Sequence, residues 1–567
     1  MTRLDSQDLS AALAEAPFTP ADLSLARFLR DQTGETNSWI LFASALANAA
    51  VRDGHTYLDL EEPQNFKRSL LRNSHFWPEP HHWEAWSKQS PALGPSDSLS
   101  PLVLDQGIYL RKYFEHERAL AHLIKAKLNQ SSVPVNCDEI SDPLIGRVLA
   151  DSLFIITGGP GTGKTTIALS CLNSFHDQWK STLPPRIAAV APTGKAAARL
   201  EESIRNGLSR LEATDDRKST LEQTPCLTLH RLLGVIPHYS SFRRNEEALL
   251  DFDLLIVDES SMIDLPLMRR LFAATPPSCS LLFLGDKDQL ASVDVGTVLY
   301  DLLKSSENPA SPIASRVHRL SKTYRFNEDS SIFRCCEAAR SGSPEILDSI
   351  LSSDSPDLSF HLLKEGEKRT NRRIIQKAFD RHQRLLRFAT PSDALAEINR
   401  SAILTPTKSG PFGTFAINLE TERFIGERNK LAPNTPIHAK PIIVLENNYD
   451  LELYNGDLGL IWTDAQGRSY ACFGGSNGQI RKVRLSELPR YETAFALTIH
   501  KSQGSEFDEA IVVLPPIDSG NFTRELLYTA FSRAKTKLTL FANRAVLDAS
   551  ISREVKRATR LADRLNT

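Results

Sequence analysis

The sequence predicts an α/β fold in which parallel sheets are flanked by helices. Short apolar runs of strand length alternate with helical patterns, which is typical of such sheets. Each run ends in a polar segment, and parallel sheets bind ligands at the carboxyl ends of their strands. The alternation breaks and resumes near residue 320, so we expect two such units. The runs lie at 153–156, 187–190, 254–257 and 281–284 in the first unit, and at 401–404, 510–514 and 538–541 in the second.

A small helical domain is expected before these units. Apolar residues at helical spacing predict three short helices before residue 52, the first at 11–16. Histidines and tryptophans cluster at 75–86, but no cysteine or paired carboxylate completes a metal site there. An aromatic core or a partner surface is therefore favoured. Residues 87–101 are rich in Ser and Pro and predict a linker inside a partner-binding domain over 1–115.

The two α/β units are expected over 116–320 and 321–567. A polar, charged stretch at 201–226 interrupts the first unit and predicts a small insertion. In the second unit, residues 412–490 hold apolar runs separated by Asn-Gly, Gln-Gly and Gly-Gly pairs. Such pairs form tight hairpin turns, so this stretch predicts a small all-β insert.

Composition restricts the partners and the compartment. The formal net charge is −2, so a polyanion would have to bind in a local groove and not through bulk attraction. The seven cysteines contain no C-x-x-C pair, which favours reduced thiols. No apolar stretch approaches the roughly 20 residues that span a bilayer. We therefore expect a cytoplasmic protein without a membrane partner.

A phosphate-binding loop follows the first apolar run. Its pattern, Gly158-x-x-x-x-Gly163-Lys164-Thr165, lies between a strand and a helix from Thr166 to about residue 175. The backbone N–H groups of such a loop surround an anion at the positive end of the helix. Lys164 would reach the β- and γ-phosphates of a nucleoside triphosphate, and the Thr165 hydroxyl would bind Mg²⁺. The predicted binding residues are Gly158, Gly159, Pro160, Gly161, Thr162, Gly163, Lys164, Thr165 and Thr166.

Polar side chains follow two further strands of the first unit. Asp258 and Glu259 come directly after the run at 254–257, where Asp258 would hold Mg²⁺ and Glu259 would polarise the attacking water. Gln289 follows the run at 281–284 and could hydrogen-bond the γ-phosphate or its water. Because the ends of these strands share one edge of the sheet, we predict one catalytic site.

A predicted helix with basic residues in its first two turns follows the run at 187–190. Lys195 and Arg199 lie four residues apart and share one helical face. Basic side chains with free N–H groups at a helix start suit a phosphodiester backbone. A solvated helix face explains the same pattern, and this stretch alone leaves the choice open.

Taken in order, these segments resemble the superfamily 1 helicases, and more narrowly the RecD branch, the alpha subunits of exodeoxyribonuclease V (RecBCD). Eight motifs occur in the family's order over nearly 380 residues, and NGDLG at 455–459 adds to the narrower match. The eight are GGPGTGKT (158–165), APTGKAAARL (191–200), TLHRLLG (228–234), IVDESSM (256–262), GDKDQL (285–290), TYRF (323–326), ALTIHKSQGSEF (496–507) and LYTAFSRAK (527–535).

The resemblance implies two RecA-like domains, an SH3-like insert at about 412–490 and an ATP-dependent DNA helicase that uses Mg²⁺. It also implies 5′–3′ movement, a role in double-strand break repair and homologous recombination, and a complex with RecB-like and RecC-like subunits. DNA would pass as a single strand within the motor.

The resemblance further assigns roles to residues. Arg325 and Arg533 match the arginines that reach the γ-phosphate from the second domain, and Gly504 and Glu506 match a segment that couples nucleotide to DNA, with Lys501 and Gln503. In one respect the chain departs from the family, because the usual adenine-reading glutamine is missing before the loop and the nearest is Gln130. The implied DNA-contacting residues are Thr193, Lys195, His230, Thr405, Thr498 and His500.

Two other functions stay open at this stage. A stand-alone RecD-like helicase would work without partners, although such proteins carry longer N-terminal extensions than the roughly 86 residues here. A mainly architectural subunit with a regulatory ATPase is disfavoured by the intact set of catalytic residues. The chain shows no carboxylate cluster for a nuclease, so cleavage would belong to a partner.

Overall fold

The structure is a computed structural model, and within its described residues four sheets organise the chain: a small N-terminal sheet, two parallel sheets and one antiparallel sheet. The predicted helix at 11–16 and Phe326 of the TYRF motif lie outside the described residues. Along the described part, no helix is both long and apolar enough to cross a membrane. The structure describes residues 18–61, 78–130, 135–208, 215–236, 239, 241–325, 329–364, 370–432, 435–448, 450–475 and 479–567.

The N-terminal region packs helices against a four-stranded sheet. Trp83, only 1% exposed, lies in its core, so the aromatic-core interpretation of the His/Trp cluster holds for this side chain. The strands, in spatial order β1-β4-β3-β2, are β1 (Leu58–Asp59), β2 (Leu93–Gly94), β3 (Leu102–Leu104) and β4 (Gly107–Leu110). The helices are Pro20–Thr33, Ser38–Arg52 and Pro80–Ser87, and the helix Arg111–Leu128 leads out of this region and buries Leu120, Ile124 and Leu128 in the core of the following unit.

The predicted linker at 87–101 is wrong as a description of this region. Its strand β2 pairs in parallel with β3, and Ala92 and Leu93 are fully buried in the N-terminal core. Ser90 fixes the approach to β2, because its hydroxyl accepts hydrogen bonds from the N–H groups of Ala92 and Leu93. The segment is therefore an integral part of the N-terminal fold.

The first lobe, as we call the unit that carries the phosphate loop, is a six-stranded parallel sheet in the order β10-β5-β9-β8-β6-β7. Its central strands are apolar and buried on both faces, as parallel strands covered by helices must be. The strands are β5 (Leu153–Gly158), β6 (Ile187–Ala191), β7 (Cys226–Thr228), β8 (Leu254–Val257), β9 (Ser280–Gly285) and β10 (Val317–Leu320). The α-helices are Pro143–Ala150, Lys164–Asp177, Gly194–Leu208, Asp215–Glu222, Leu229–Leu233, Leu265–Ala274 and Val298–Ser305, and the 3-10 helices are Cys137–Glu139, Ser260–Met262 and Ala314–Arg316.

The polar insertion predicted at 201–226 is shorter than expected. The helix Gly194–Leu208 continues through its first eight residues, with Ile204 and Leu208 buried in the core of the first lobe. At the other end, Cys226 already belongs to β7. Helix-compatible charged residues on the solvent side of this helix account for the error.

The second lobe is a five-stranded parallel sheet in the order β11-β20-β19-β12-β18, with a separate antiparallel sheet inserted in its chain. The predicted strands at 401–404, 510–514 and 538–541 correspond to β12, β19 and β20. The strands are β11 (Leu358–Leu362), β12 (Ser401–Thr405), β13 (Lys440–Val444), β14 (Leu458–Thr463), β15 (Ser469–Gly474), β16 (Ile480–Arg484), β17 (Tyr491–Thr493), β18 (Ala496–Thr498), β19 (Phe507–Val513) and β20 (Ala534–Ala542). The helices are Ser331–Ser341, Pro344–Leu351, Arg372–Leu385, Pro391–Ile398, Thr414–Asn429, His500–Ser502 (3-10), Arg524–Phe531 and Arg544–Ser552. The last helix, Leu561–Asn566, packs on the first lobe.

An all-β insert is present, but it begins later than residue 412. Strands β13–β17 form its sheet in the order β16-β15-β14-β13-β17. The preceding helix Thr414–Asn429 belongs to the second lobe, because its Ile417 and Ile425 pack in the core that contains Ile403 of β12, and the Asn418 side-chain carbonyl accepts from the Ala496 N–H of β18 (2.7 Å). The β insert therefore spans 440–493, and its likeness to an SH3 fold stays a prediction.

The C-terminal strap (residues 553–567) returns from the second lobe to the N-terminal region and the first lobe. Arg564 pairs with Asp105 and with the fully buried Glu117, whose carboxylate also accepts from the hydroxyls of Thr56 (2.8 Å) and Tyr109 (3.1 Å). Leu561 and Leu565 of the strap lie in the core of the first lobe. Arg557 donates to the carbonyls of Ser292, Asp294 and Gly296.

A buried carboxyl beneath the strap makes stability depend on pH. Burial raises the pKa of Asp301 from 3.8 to about 8, and the Thr559 hydroxyl donates to its Oδ1 (2.6 Å). Between those values the folded chain keeps a proton that the unfolded chain releases, so stability falls as pH rises.

We expect Asp301→Asn to remove a slope of up to about 1.4 kcal/mol per pH unit between pH 5 and pH 8. Urea denaturation across that range measures the slope for both proteins. Asp251→Asn is the control, because the Asp251 side chain is 71% exposed. Equal slopes in wild type and Asp301→Asn would contradict the assignment.

Candidate active site

The phosphate loop has the predicted context: β5 ends at Gly158 and a helix begins at Lys164. Gly161 (φ 73°) and Gly163 (φ 90°) adopt left-handed conformations that let the loop curl in front of the helix N-terminus. The Lys164 ammonium donates to the carbonyls of Gly158 (2.6 Å) and Gly159 (3.0 Å). The lysine is thus held within the loop, at the positive end of the helix where an anion is stabilised.

The acidic pair lies beside the loop, at the end of β8. Burial and the neighbouring Glu259 raise the pKa of Asp258 to about 6, and Asp258 accepts a hydrogen bond from the Glu259 N–H (2.8 Å). Glu259 adopts a left-handed conformation (φ 49°), which is uncommon for a non-glycine residue and concentrates at functional sites.

The donor set near the loop fits Mg²⁺. The carboxylate of Asp258 and the hydroxyl of Thr165 line the same cleft, and Mg²⁺ prefers such oxygen ligands together with phosphate oxygens and water. The buried Asp258 carboxylate would be neutralised there by a cation. Among the described residues, no cluster of three His, Cys, Asp or Glu side chains offers a metal site made by protein alone.

A hydrogen-bonded chain connects the first lobe to the second. The Gln289 amide donates to Asp286 (3.0 Å) and its carbonyl accepts from Arg533 Nη2 (3.0 Å). The Tyr528 hydroxyl also donates to Asp286 (3.1 Å). The Thr529 hydroxyl accepts from the Leu290 N–H (2.9 Å). The segment after β9 is therefore hydrogen-bonded directly to the second lobe, and the sensor role of Gln289 stays a prediction.

Arg533 is fully enclosed at this interface. Its guanidinium donates to the carbonyls of Thr529 (3.0 Å) and Ser505 (2.9 Å) as well as to Gln289. Burial lowers the pKa of Arg533, while the nearby carboxylates of Glu259 and Glu506 raise it. These hydrogen bonds fix the Arg533 guanidinium in one orientation at the edge of the cleft, so its positive charge is held in place there.

The segment after β10 brings Arg325 to the loop. The Tyr324 N–H donates to the Gly161 carbonyl (2.8 Å), and a Cβ at Gly161 would lie 2.3 Å from the Arg325 Cβ. Glycine is required there by this close approach. The Arg325 guanidinium donates to Glu506 Oε1 (2.6 Å).

One cleft of about 960 Å³ unites most of the predicted residues. Gly158 and Gly159 do not line it but contribute the carbonyls that hold Lys164. Two residues here were not predicted from the sequence: Arg199 lines the cleft, and Tyr528 contacts Asp286. The predicted residues that line the cleft are Pro160, Gly161, Thr162, Gly163, Lys164, Thr165, Thr166, Asp258, Glu259, Gln289, Arg325, Gly504, Glu506 and Arg533.

The implied DNA-contacting residues divide into exposed and internal ones. Thr193, Lys195, His230 and His500 remain at least partly accessible. Thr405 and Thr498 are buried partners in the β12–β18 register. The Thr405 hydroxyl donates to the Phe412 carbonyl (2.8 Å), so in this structure its side chain is bonded within the protein.

The β insert contacts the first lobe near Lys195. Tyr454 packs against Gly194, where an added Cβ would lie 2.9 Å from the Tyr454 Cβ. Asp457 of the NGD segment faces Lys195, and its charge opposes the effect of burial, which lowers the pKa of Lys195 to about 8. The insert is thus placed beside the candidate DNA-contacting helix.

Three family models match this chain. The model described as the RecBCD enzyme subunit RecD N-terminal domain covers residues 14–109, an AAA domain model covers 144–295, and a UvrD-like helicase C-terminal domain model covers 493–541. Together they include the N-terminal region, the phosphate loop and acidic pair, and the strand-end motifs of the second lobe.

Curated relatives match most of the chain. The RecBCD enzyme subunit RecD of Mycobacterium tuberculosis is 34% identical over 96% of this chain and 95% of its own length. The Haemophilus influenzae subunit is 30% identical over 82% of this chain and 81% of its own length. The ATP-dependent RecD2 DNA helicase of Deinococcus radiodurans is 29% identical, but the match covers only 54% of that protein. This chain belongs to the family of RecBCD enzyme subunit RecD.

Proposed function

We propose that this chain is an ATP-dependent 5′–3′ DNA helicase, the motor subunit of a RecBCD-type helicase–nuclease acting in double-strand break repair and homologous recombination. One observation carries the proposal. A single cleft combines the phosphate loop of the first lobe with Arg533 of the second lobe and with Arg325 from the segment between them. Two lobes that share one triphosphate can convert its hydrolysis into relative movement.

The chemistry follows from the side chains in the cleft. Glu259 lies beside the phosphate loop, where its carboxylate can orient and deprotonate the attacking water. Lys164 releases its carbonyl partners to contact the β- and γ-phosphates. Arg325 and Arg533 stabilise the charge that develops on the transferred phosphoryl group. Mg²⁺, when held by Thr165 and Asp258, neutralises phosphate charge.

Movement follows from the bonds between the lobes. Bound triphosphate gives Arg325 and Arg533 a common anion and favours a closed cleft, and loss of the γ-phosphate removes that link. Gln289 lines the cleft and is hydrogen-bonded to both Asp286 and Arg533. If loss of the γ-phosphate shifts the Gln289 side chain, its bond to Arg533 transmits that shift to the second lobe. If the two lobes bind the DNA strand tightly in alternation as the cleft closes and opens, each cycle of hydrolysis moves the protein along the strand in one direction.

The candidate DNA-contacting side chains lie at strand ends in both lobes. Thr193 and Lys195 begin a helix after β6, and His500 follows β18. Backbone N–H groups and basic side chains at such positions suit a phosphodiester chain. We include Thr193, Lys195, His230 and His500 in this proposed contact set because they are accessible, and we keep Thr405 and Thr498, whose side chains are buried here, as residues of the same strand-end segments.

We expect Lys195→Ala to weaken binding of a single-stranded oligonucleotide. The loss of one phosphate contact should reduce the slope of log K against log salt concentration by about 0.7. Fluorescence anisotropy with oligo(dT) at several salt concentrations measures the slope, and Lys218→Ala on the helix Asp215–Glu222 is the control. An unchanged slope for Lys195→Ala would remove this residue from the contact set.

The proposed partners follow the family. We infer RecB-like and RecC-like subunits, a partner-binding role for residues 1–115, motor domains over 116–320 and 321–567, and a cytoplasmic location. A stand-alone helicase resembling RecD2 is disfavoured because this chain matches only about half of that protein's length. Gel filtration of the native protein, followed by an unwinding assay on the eluted species, separates the alternatives. A monomer that unwinds DNA processively would favour the stand-alone helicase.

The proposed function is tested by Lys164→Gln. DNA-stimulated ATP hydrolysis should fall to background, whereas Lys180→Gln, an exposed lysine beyond the same helix, should retain it. Single-turnover unwinding of duplexes with a 5′ or a 3′ overhang tests polarity. Unchanged ATPase in Lys164→Gln would reject the motor, and a preference for the 3′ overhang would reject 5′–3′ movement.

A further inference from the structure

Arg199 lies in the nucleotide cleft although it belongs to the candidate DNA-contacting helix. It is the sixth residue of the helix Gly194–Leu208, and its side chain is 36% exposed and lines the cleft with Lys164 and Arg325. Its Nη2 contacts Glu506 Oε2 (2.5 Å), and its Nη1 donates to the Gly504 carbonyl (3.2 Å). The sequence left open whether Lys195 and Arg199 form a phosphodiester-binding face or a solvated one, and in the structure the Arg199 side chain lies in the nucleotide cleft.

Glu506 holds two guanidinium groups side by side. One carboxylate oxygen accepts from Arg199 and the other from Arg325, so the two arginines flank a single anion. Their positive charges hold the pKa of Glu506 well below its usual range. Arg199 lines the same cleft as Asp258 and Glu259, and its charge partly opposes the rise that burial and Glu259 cause in the pKa of Asp258.

A guanidinium in this position suits a phosphate group. Arginine presents a planar fork of N–H donors that matches carboxylate and phosphate oxygens alike. The Glu506 carboxylate already shows that Arg199 and Arg325 can share one anion from their present positions. A terminal phosphate at the phosphate loop would offer the same two groups three oxygens and more negative charge.

We propose that Arg199 is a ligand of the terminal phosphate of the bound triphosphate, and that Glu506 is the positioning residue that holds it toward the cleft. This inference rests on the proposed ATPase function and deepens it. Lys195 precedes Arg199 by four residues, or about 6 Å along one helix. The helix therefore carries a candidate DNA contact at its start and a phosphate contact one turn later, which links the two ligands through a rigid element.

The test compares affinities for triphosphate and diphosphate. Purified full-length chains are titrated with a fluorescent ADP and with a fluorescent non-hydrolysable ATP analogue, both with Mg²⁺. We expect Arg199→Ala to lose about tenfold to a hundredfold in affinity for the ATP analogue and to keep its ADP affinity within about twofold. Arg199→Lys should show an intermediate loss, because lysine keeps the charge but lacks the fork.

Arg205→Ala is the matched control, because Arg205 lies on the same helix in an exposed pair with Glu201. It should leave both affinities unchanged, and thermal melting without nucleotide checks that each variant folds. Equal losses for ADP and the ATP analogue in both Arg199 variants, or no loss in either, would overturn the role of Arg199. Failure of the wild type to bind either nucleotide would instead overturn the proposed function itself.

Discussion

Replacing Arg325 by alanine is expected to lower kcat for DNA-stimulated ATP hydrolysis by about 10³-fold or more. Arginines that reach the transferred phosphoryl group stabilise charge formed in the transition state, and one such group contributes about 10³ to 10⁵ in kcat. Arg325 is packed against Gly161 of the phosphate loop, so its guanidinium needs only to exchange Glu506 for phosphate. KM for ATP should change far less than kcat.

Steady-state ATPase assays with saturating single-stranded DNA measure this effect. Arg334→Ala is the control, since Arg334 is an exposed arginine on the helix Ser331–Ser341. Arg325→Lys should recover only part of the rate, because a single ammonium lacks the planar fork. A loss below tenfold in Arg325→Ala would show that this arginine does not act in the transition state.

The second large effect concerns stability, and we expect Arg564→Ala to cost about 3–5 kcal/mol of unfolding free energy. Arg564 is 17% exposed and its partner Glu117 is fully buried, so the substitution leaves a carboxylate without its guanidinium. The hydroxyls of Thr56 and Tyr109 remain as donors, but neither carries charge. The same change removes the contact with Asp105 and loosens the C-terminal strap.

Urea denaturation followed by tryptophan fluorescence measures the loss, because Trp39, Trp83 and Trp86 report on the N-terminal region. The control is Arg118→Ala, whose exposed pair with Glu115 should contribute less than about 1 kcal/mol. If both variants unfold at the same urea concentration, the strap does not stabilise the N-terminal region through this ion pair.

The grouping of side chains in the candidate active site could be predicted from sequence because several of them follow short buried strands. The order of strand, glycine loop and helix at 153–175 fixes a local geometry, and Asp258, Glu259 and Gln289 gather because parallel strands end at one edge. Nothing beyond local pattern and the parallel sheet is needed to bring these groups together.

Features that depend on packing between distant segments could not be predicted in this way. The Ser/Pro-rich composition at 87–101 predicts a linker. Ala92 and Leu93 within it are nevertheless buried, because β2 pairs with β3. Arg199 is drawn toward Glu506, more than 300 residues away, and helical spacing alone cannot reveal that contact. The C-terminal strap is likewise held by long-range ion pairs of Arg560 and Arg564 with Asp105.

The most direct test of the two-lobe motor is a crystal structure of the full chain with Mg²⁺, ADP, aluminium fluoride and a single-stranded oligonucleotide. We predict that guanidinium nitrogens of Arg325 and Arg533 lie about 2.7–2.9 Å from fluorine or oxygen atoms at the γ-phosphate position. Arg325 would then have left Glu506. A nucleotide contacted by the first lobe alone, with Arg325 still on Glu506 and Arg533 turned away, would contradict it.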